Sequence, residues 1–320
     1  MAHDSHDHTG HTAGHQHTHA QGHAHAHGPA DYGRAFAIGV ALNLSFVLAE
    51  AVFGVIGHSL ALLADAGHNM SDVLGMLMAW GATALARRRP SARFTYGLRS
   101  SSILAALGNA VFLLVVTGGI AGEAIQRLLH PTPVASGIVI GVAAFGVAIN
   151  TGTALLFMAG RKGDLNIRAA FLHMASDAAV SLGVVLAGIG MLFTGWFWLD
   201  PAVSLLISAV IVIATWGLLR DSLNLALHGV PEGIETQAVR AYLAALPDVA
   251  AVHDLHIWAM STTETALTAH LVMPNGYPGD ALLNRIGNEL QTRFRIDHPT
   301  LQVEAGDPAH PCALAPDHRV

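Results

Sequence analysis

Residues 57–72 read GHSLALLADAGHNMSD, and residues 168–177 read RAAFLHMASD. Each stretch lies within a long apolar segment and carries a His followed four positions later by an Asp, as His68-x-x-x-Asp72 and His173-x-x-x-Asp177. This spacing puts both side chains on one face of a helix, one turn apart. Ionisable groups are costly at membrane depth, where they pair, line a cavity or bind something. The two stretches therefore predict a helical membrane domain with a polar site inside it.

Two imidazoles and two carboxylates form a ligand set that suits a zinc-like divalent ion. We therefore predict that the two helices cross and bring four ligands together. These ligands are His68, Asp72, His173 and Asp177. Small residues surround both pairs, and small side chains allow the close helix approach that a shared site requires. A single intramembrane His is explained equally well as a packing residue with one hydrogen bond, but two His-x-x-x-Asp pairs in separate segments argue against that explanation.

Other polar residues occur in the same apolar segments. We interpret Asn43, Glu50 and Asn109 as residues that orient the ligands or join neighbouring helices. Asp65 lies on the same helix face as His68 and Asp72, and its role is left open between a transient ligand, a helix-terminal residue and a proton-linked group.

The composition favours a membrane protein with several spans. The 320 residues are 52% hydrophobic and 12% charged, whereas soluble domains carry about 25% charged residues. Six apolar segments each exceed the ~20 residues that a spanning helix needs. They lie near residues 34–56, 60–86, 99–127, 134–160, 165–193 and 199–220. We predict six transmembrane helices.

Basic residues indicate the orientation of these helices. They cluster in the loops that follow the second and fourth apolar segments, whereas the loops on the other side are short and nearly free of them. They are Arg87, Arg88, Arg89, Arg93 and Arg99 in one loop and Arg161, Lys162 and Arg168 in the other. Because cytoplasmic loops are enriched in Lys and Arg, we predict that both termini are cytoplasmic.

The ends of the chain differ from its centre. Residues 1–33 hold ten of the 21 histidines and few core-forming side chains, which predicts a disordered cytoplasmic tail. That tail is either a metal buffer or a solvated segment that binds metal only weakly. The six-helix domain is predicted over 34–225, a small α+β domain of order α-β-β-α-β over 230–306, and a second tail over 307–320.

Several function classes are disfavoured by the motifs. The chain has no His-Glu-x-x-His motif, nucleophile elbow or phosphate-binding loop, so we expect neither an enzyme nor an ATP-driven pump. Secondary transport driven by an ion gradient remains. The alternative is a membrane-anchored metal sensor or buffer. No prosthetic group and no nucleic-acid partner are expected. Cys312 is the only cysteine, which predicts neither a disulfide framework nor a Cys-based zinc site.

With these motifs the chain resembles the cation diffusion facilitator family, of the bacterial zinc-transporting type. Besides residues 57–72 and 168–177, the resemblance rests on Thr95-Tyr96-Gly97, Asp200-Pro201 and residues 253–258, HDLHIW. It implies six transmembrane helices and a cytoplasmic metallochaperone-like, ferredoxin-like α+β domain. It also implies a homodimer in the inner (plasma) membrane that exports divalent cations in exchange for protons. Two His and two Asp at the transport site suggest zinc, with cadmium tolerated.

The same resemblance points to a second metal site. His253 and His270 match positions that bind metal in some members, and Glu304 stands where others place a ligand. His256 and His298 are left open between additional ligands and ordinary strand-end residues. Zinc would then be both the transported ion and a regulatory ion.

Overall fold

The computed structural model describes residues 32–158 and 165–315. Most of the predicted N-terminal tail and residues 159–164 of the loop after the fourth apolar segment lie outside the described residues. The described part of the chain begins with six long helices. They are α1 (Tyr32–Ile56), α2 (Leu60–Ala86), α3 (Ser101–Leu129), α4 (Ser136–Met158), α5 (Leu165–Thr194) and α6 (Leu199–Ala226).

Four of these helices, α3 to α6, are long and apolar enough to cross a membrane. Their outward side chains are large and apolar; Leu156 and Phe193 are each 82% exposed, as expected where lipid takes the place of water. The described apolar part of α1 is shorter, covering Leu44–Ile56. Helix α2 has 27 residues, but its polar residues lower its mean hydropathy. The helical membrane fold predicted from the sequence is confirmed.

The C-terminal domain has the predicted order of elements. It consists of α7 (Thr236–Ala244), β1 (Ala251–Ala259), β2 (Thr265–Val272), α8 (Asp280–Phe294) and β3 (His298–Glu304). Strand β2 lies in the centre of the sheet, antiparallel to β1 and parallel to β3. Apolar residues of both helices pack against β2, with Leu243, Leu267 and Ile286 fully buried. This packing confirms the small α+β domain.

The start of α2 is anchored by a carboxylate from α6. Asp200 accepts hydrogen bonds from Ser59 Oγ at 2.5 Å and from the backbone N–H of Leu60 at 2.7 Å. Ser59 in turn accepts the N–H of Leu62 at 3.2 Å. The first N–H groups of a helix have no partner within the helix, and here all of the groups involved are buried, so Asp200 supplies acceptors that water cannot supply. Helix α2 is thereby held against α6.

Small residues on α2 let α3 approach closely. A side chain at Gly75 would place its Cβ 3.0 Å from Asn109 Nδ2, and one at Gly67 would lie 3.2 Å from Val116 Cγ1. Ser71 Oγ donates a hydrogen bond to Asn109 Oδ1 at 3.3 Å. Asn109 therefore joins two helices, which is one of the two roles that the sequence left open, because close packing brings its amide within reach of α2.

The beginning of α3 contacts the turn between β1 and β2. Arg99 forms an ion pair with Glu264. Ser100 Oγ donates to the carbonyl of Met260 at 3.1 Å, and Ser102 Oγ accepts the N–H of Thr262 at 3.1 Å. Polar contacts at the beginning of α3 thus join the membrane helices to the sheet.

Replacing Asp200 by Ala should destabilise the protein, because it leaves buried N–H groups at the start of α2 without an acceptor. We expect a loss of about 1–3 kcal/mol in the free energy of unfolding. Asp200→Asn keeps one carbonyl oxygen and should lose less. Denaturant titration of the purified protein in detergent measures both. Asp221→Ala, which removes an exposed carboxylate from the same helix, is the matched control. Equal stability of Asp200→Ala and this control would contradict the anchoring role.

Candidate metal centre

The side chains of the two His-x-x-x-Asp pairs meet between α2 and α5. His68 Nε2 lies 3.7 Å from Asp72 Oδ2 and 3.7 Å from Asp177 Oδ1. His173 Nε2 lies 3.3 Å from Asp72 Oδ2 and 3.7 Å from Asp177 Oδ2. Each imidazole therefore faces a carboxylate from both helices, and the two rings meet edge to face with their centroids 6.0 Å apart. The structure brings together all four residues that the sequence singled out.

The spacing of these atoms suits a small divalent ion. Zinc–ligand bonds of about 2.0–2.1 Å in a tetrahedron separate the ligand atoms by about 3.3 Å. The His-to-carboxylate distances of 3.3–3.7 Å lie close to this value. Ligand atoms of His68, Asp72 and His173 all lie within 4.8 Å of one another. Asp177 falls outside that set, but each of its oxygens lies 3.7 Å from one of the two imidazoles.

The site is more open beside one ligand than beside another. The side chain of His173 is 43% exposed, whereas that of Asp177 is 5% exposed. His173 is therefore the more accessible of these two candidate ligands. Among the described residues, Nδ1 of His68 is buried and has no hydrogen-bond partner, so no contact there fixes which ring nitrogen carries the proton.

Buried polar residues next to the four side chains tie the surrounding helices together. Asp65 of α2 accepts a hydrogen bond from Ser181 Oγ of α5 at 3.0 Å. Asn69 Nδ2 donates to Glu50 Oε2 of α1 at 3.2 Å. These contacts support the helix-joining role expected of Glu50 and place Asp65 beside α5. Ser181 was missed from the sequence, since a serine in an apolar segment carries no distinctive signal. The side chain of Asn43 lies outside the described residues.

A second cluster lies on the sheet of the C-terminal domain. His253 of β1 and His270 of β2 stand directly opposite each other, with ring centroids 5.1 Å apart. Glu304 ends the neighbouring strand β3, and its carboxylate lies 2.8 Å from His270 Nδ1 and 3.4 Å from His253 Nε2. The strand register thus gathers three residues that are up to 51 positions apart in the chain.

The two histidines whose roles were left open are not in this cluster. His256 Nε2 lies 2.9 Å from Asp254 Oδ1, after a bulge that shifts the strand register between His253 and His256. His298 begins β3, at the opposite end of that strand from Glu304. Its ring meets that of Tyr96 edge to face, with the centroids 5.5 Å apart. The bulge also turns Asp254 toward His270, with Oδ2 lying 3.3 Å from Nε2.

Cys312 lies beside this cluster, a position that the sequence did not indicate. Its Sγ lies 3.5 Å from His270 Nδ1, and one ligand atom from each of His253, His270, Glu304 and Cys312 lies within 4.8 Å of the other three. This geometry argues against the expectation, drawn from a single cysteine, that the chain has no Cys-containing zinc site. A lone cysteine lacks the spacing signal of a Cys pair, and only the fold brings it to the histidines.

The Glu304 carboxyl lies in a field that favours its ionised form. Partial burial raises its pKa, but hydrogen bonds from Cys312 and Gln302 and the neighbouring His253 and His270 outweigh this effect. The pKa of Glu304 is therefore below its usual value. An ionised carboxylate beside two imidazoles and a thiol is a ligand set for a zinc-like ion.

Comparison with known proteins agrees with these observations. Residues 36–225 match the model of the cation efflux transmembrane domain, and residues 231–306 match that of the cation efflux protein, cytoplasmic domain. The chain is 37% identical to the cation efflux system protein CzcD of Alcaligenes sp. strain CT14, over 95% of this chain and 92% of that protein.

Two further relatives cover most of the chain. The zinc transporter ZitB of Escherichia coli strain K12 is 36% identical over 84% of this chain and 86% of its own length. The cadmium, cobalt and zinc/H(+)-K(+) antiporter of Bacillus subtilis strain 168 is 31% identical over 88% of this chain and 92% of its own length. The chain therefore belongs to the cation efflux family, which is the cation diffusion facilitator family that the two His-x-x-x-Asp motifs indicated.

Proposed function

We propose that this protein exports zinc from the cytoplasm in exchange for protons and binds the ion with His68, Asp72, His173 and Asp177. The observation that carries the proposal is the meeting of these four side chains between two helices, at distances of 3.3–3.7 Å. The names of the relatives point the same way, since one is a zinc transporter and another a cadmium, cobalt and zinc antiporter.

Charge balance supports a doubly charged cargo. Two neutral imidazoles and two carboxylates carry a charge of −2, which one divalent ion cancels, and a neutral complex is the form that the membrane interior tolerates best. Imidazole coordinates metal only when it is unprotonated, so arrival of zinc displaces protons and arrival of protons displaces zinc. Because histidine titrates near physiological pH, His68 and His173 suit a carrier that exchanges zinc for protons.

The same ligand set favours transport over hydrolysis. Catalytic zinc keeps one coordination position for water, whereas four protein ligands here would complete the shell. Cadmium, which is a softer divalent ion, fits the same set, and the name of the Bacillus relative includes it. We therefore infer a carrier that prefers zinc and accepts cadmium.

The proposed architecture places six spans in the plasma membrane with both termini in the cytoplasm. An even number of crossings puts the termini on one side, and the Arg-rich loop 87–99 assigns that side to the cytoplasm. The domain limits remain those expected from the sequence, at 34–225 and 230–306 with tails on either side. The match of residues 231–306 to the family's cytoplasmic domain supports a homodimer joined there.

The cluster at His253, His270 and Glu304 is proposed as a regulatory zinc site. It lies on the same sheet as the turn that contacts α3 through the Arg99–Glu264 ion pair. Zinc bound there can therefore bias the arrangement of the membrane helices through a continuous set of packed elements.

Zinc flux in a defined system tests the function. The purified protein is placed in vesicles with a zinc reporter inside. Zinc uptake is recorded with and without a proton gradient that drives protons out of the vesicles. We expect uptake that needs the gradient. Zinc binding without flux would contradict transport and favour the alternative of a membrane-anchored sensor or buffer.

Asp72→Ala and Asp177→Ala should each reduce zinc flux to the background of protein-free vesicles, because each removes one of two charges that cancel the ion. Glu123→Ala is the matched control, since Glu123 is an exposed carboxylate of the membrane domain paired with Arg127. All three variants should insert and elute like the parent. Flux near the parent value in either Asp variant would contradict the assignment.

His68→Asp should change selectivity rather than only lower the rate. Carboxylate oxygen favours harder cations than imidazole does, so manganese should compete with zinc more effectively in the variant, whereas cadmium, a softer ion, should not gain. Competition flux with zinc, cadmium and manganese measures the ratios. Unchanged ratios in a variant that still transports would argue against His68 as a ligand.

A further inference from the structure

The cytoplasmic cluster contains a buried imidazole nitrogen that makes no hydrogen bond. Among the described residues, Nε2 of His253 has no hydrogen-bond partner, although the Glu304 carboxylate lies 3.4 Å away, and His253 is only 8% exposed. This nitrogen points into the group formed with His270, Glu304 and Cys312. A buried imidazole nitrogen without a partner is unfavourable, and a bound cation at the centre of this group would satisfy it.

The ring of His270 is oriented to offer a lone pair to the same centre. Asp254 lies 3.3 Å from Nε2, and it is held there by the bulge, at a positive φ of 49°. A carboxylate that accepts the proton of one ring nitrogen fixes the tautomer and leaves the other nitrogen free to bind metal. Nδ1 of His270 is that other nitrogen, and it faces both Glu304 and Cys312.

The segment after β3 is shaped to return Cys312 to the sheet. Gly306 adopts φ 70°, and a Cβ there would lie 2.8 Å from Val272 Cγ1, so the chain turns tightly against β2. Asp307 then accepts hydrogen bonds from the N–H of Ala309 and from His310, both at 2.9 Å. The turn delivers the Cys312 sulfur to the edge of the histidine pair.

We propose that Cys312 is the fourth ligand of the cytoplasmic site, so that metal binding fastens the C-terminal tail to the sheet through two histidines, one glutamate and one cysteine. This inference rests on the proposed regulatory site and adds a residue and a metal class to it. A thiolate prefers soft and borderline ions such as cadmium and zinc over magnesium or manganese. The site should therefore bind zinc-like ions in preference to hard cations such as magnesium.

The charges of the assembled site balance. Binding releases the thiol proton to solvent, as metal coordination requires the thiolate. Two neutral imidazoles, one carboxylate and one thiolate then carry −2, which a divalent ion cancels. The transport site reaches the same balance with two carboxylates, so the sulfur is what distinguishes the two sites chemically.

Thiol labelling of the full-length protein tests the proposal directly. Cys312 is the only cysteine in the chain, so the rate of alkylation by a maleimide reports on this position alone. Zinc at about ten times the dissociation constant should slow labelling about 10-fold, because only the free fraction reacts. Magnesium should not slow it. Equal labelling rates with and without zinc would overturn the proposal.

Variants separate this site from the transport site. Asp72→Ala should keep the protection by zinc, whereas His270→Ala should lose it. Protection that persists in His270→Ala would overturn the assignment. Zinc flux in the parent without any protection of Cys312 would likewise overturn it, while leaving the proposed transport intact.

Cobalt substitution gives a second measurement that needs no labelling and no disruption of the sheet. A Co²⁺–thiolate bond produces a charge-transfer band in the near ultraviolet that His and carboxylate ligands do not. The parent should show this band and Cys312→Ser should lack it, while both keep the visible absorption of cobalt at the remaining ligands. A parent protein without the band contradicts the proposed ligand.

Discussion

The structure depends on one constraint, namely that ionisable side chains inside the membrane must have partners. Asp72 and Asp177 each face the imidazoles of both His68 and His173. Neither helix can supply this arrangement alone, because each His needs a carboxylate from the other helix as well as from its own. Helices α2 and α5 contact each other over a much shorter stretch than α4 and α5 do. Polar pairing therefore holds α2 and α5 together, whereas α4 and α5 are joined by extensive packing.

A small contact area is what a carrier requires. Helices that share an extensive apolar interface resist rearrangement, because packed interiors lose stability when their contacts are opened. Helix α2 packs broadly against α3, but toward α5 it is held mainly by directional contacts such as the hydrogen bond between Ser181 and Asp65. Directional contacts can be exchanged for others, which a movement of α2 against α5 would require.

The two candidate metal sites share one electrostatic principle, because in each a ligand set of charge −2 would balance one divalent ion. One site lies within the membrane domain and the other on the cytoplasmic sheet. At the proposed transport site, two hard carboxylates would balance the ion, and both ion and protons must be able to leave. At the proposed cytoplasmic site, the thiol of Cys312, which lies within reach of the other ligand atoms, would replace one carboxylate and favour retention of soft ions. Polar contacts between the start of α3 and the β1–β2 turn connect the two regions, so occupancy of one can influence the other.

The sequence by itself determined what depends on local spacing. The 3.6-residue helical period placed His68 and Asp72 on one helix face, and likewise His173 and Asp177. The lengths of the apolar segments predicted the membrane helices, and the alternation of apolar residues predicted the order of the C-terminal elements. Only the tertiary structure decided which helices meet, that Asp200 caps α2, and that Cys312 reaches His270 while His256 and His298 do not. Local periodicity is a property of neighbouring residues, whereas these contacts join positions 42 to 141 residues apart, and their geometry exists only once the bundle, the bulge and the final turn have formed.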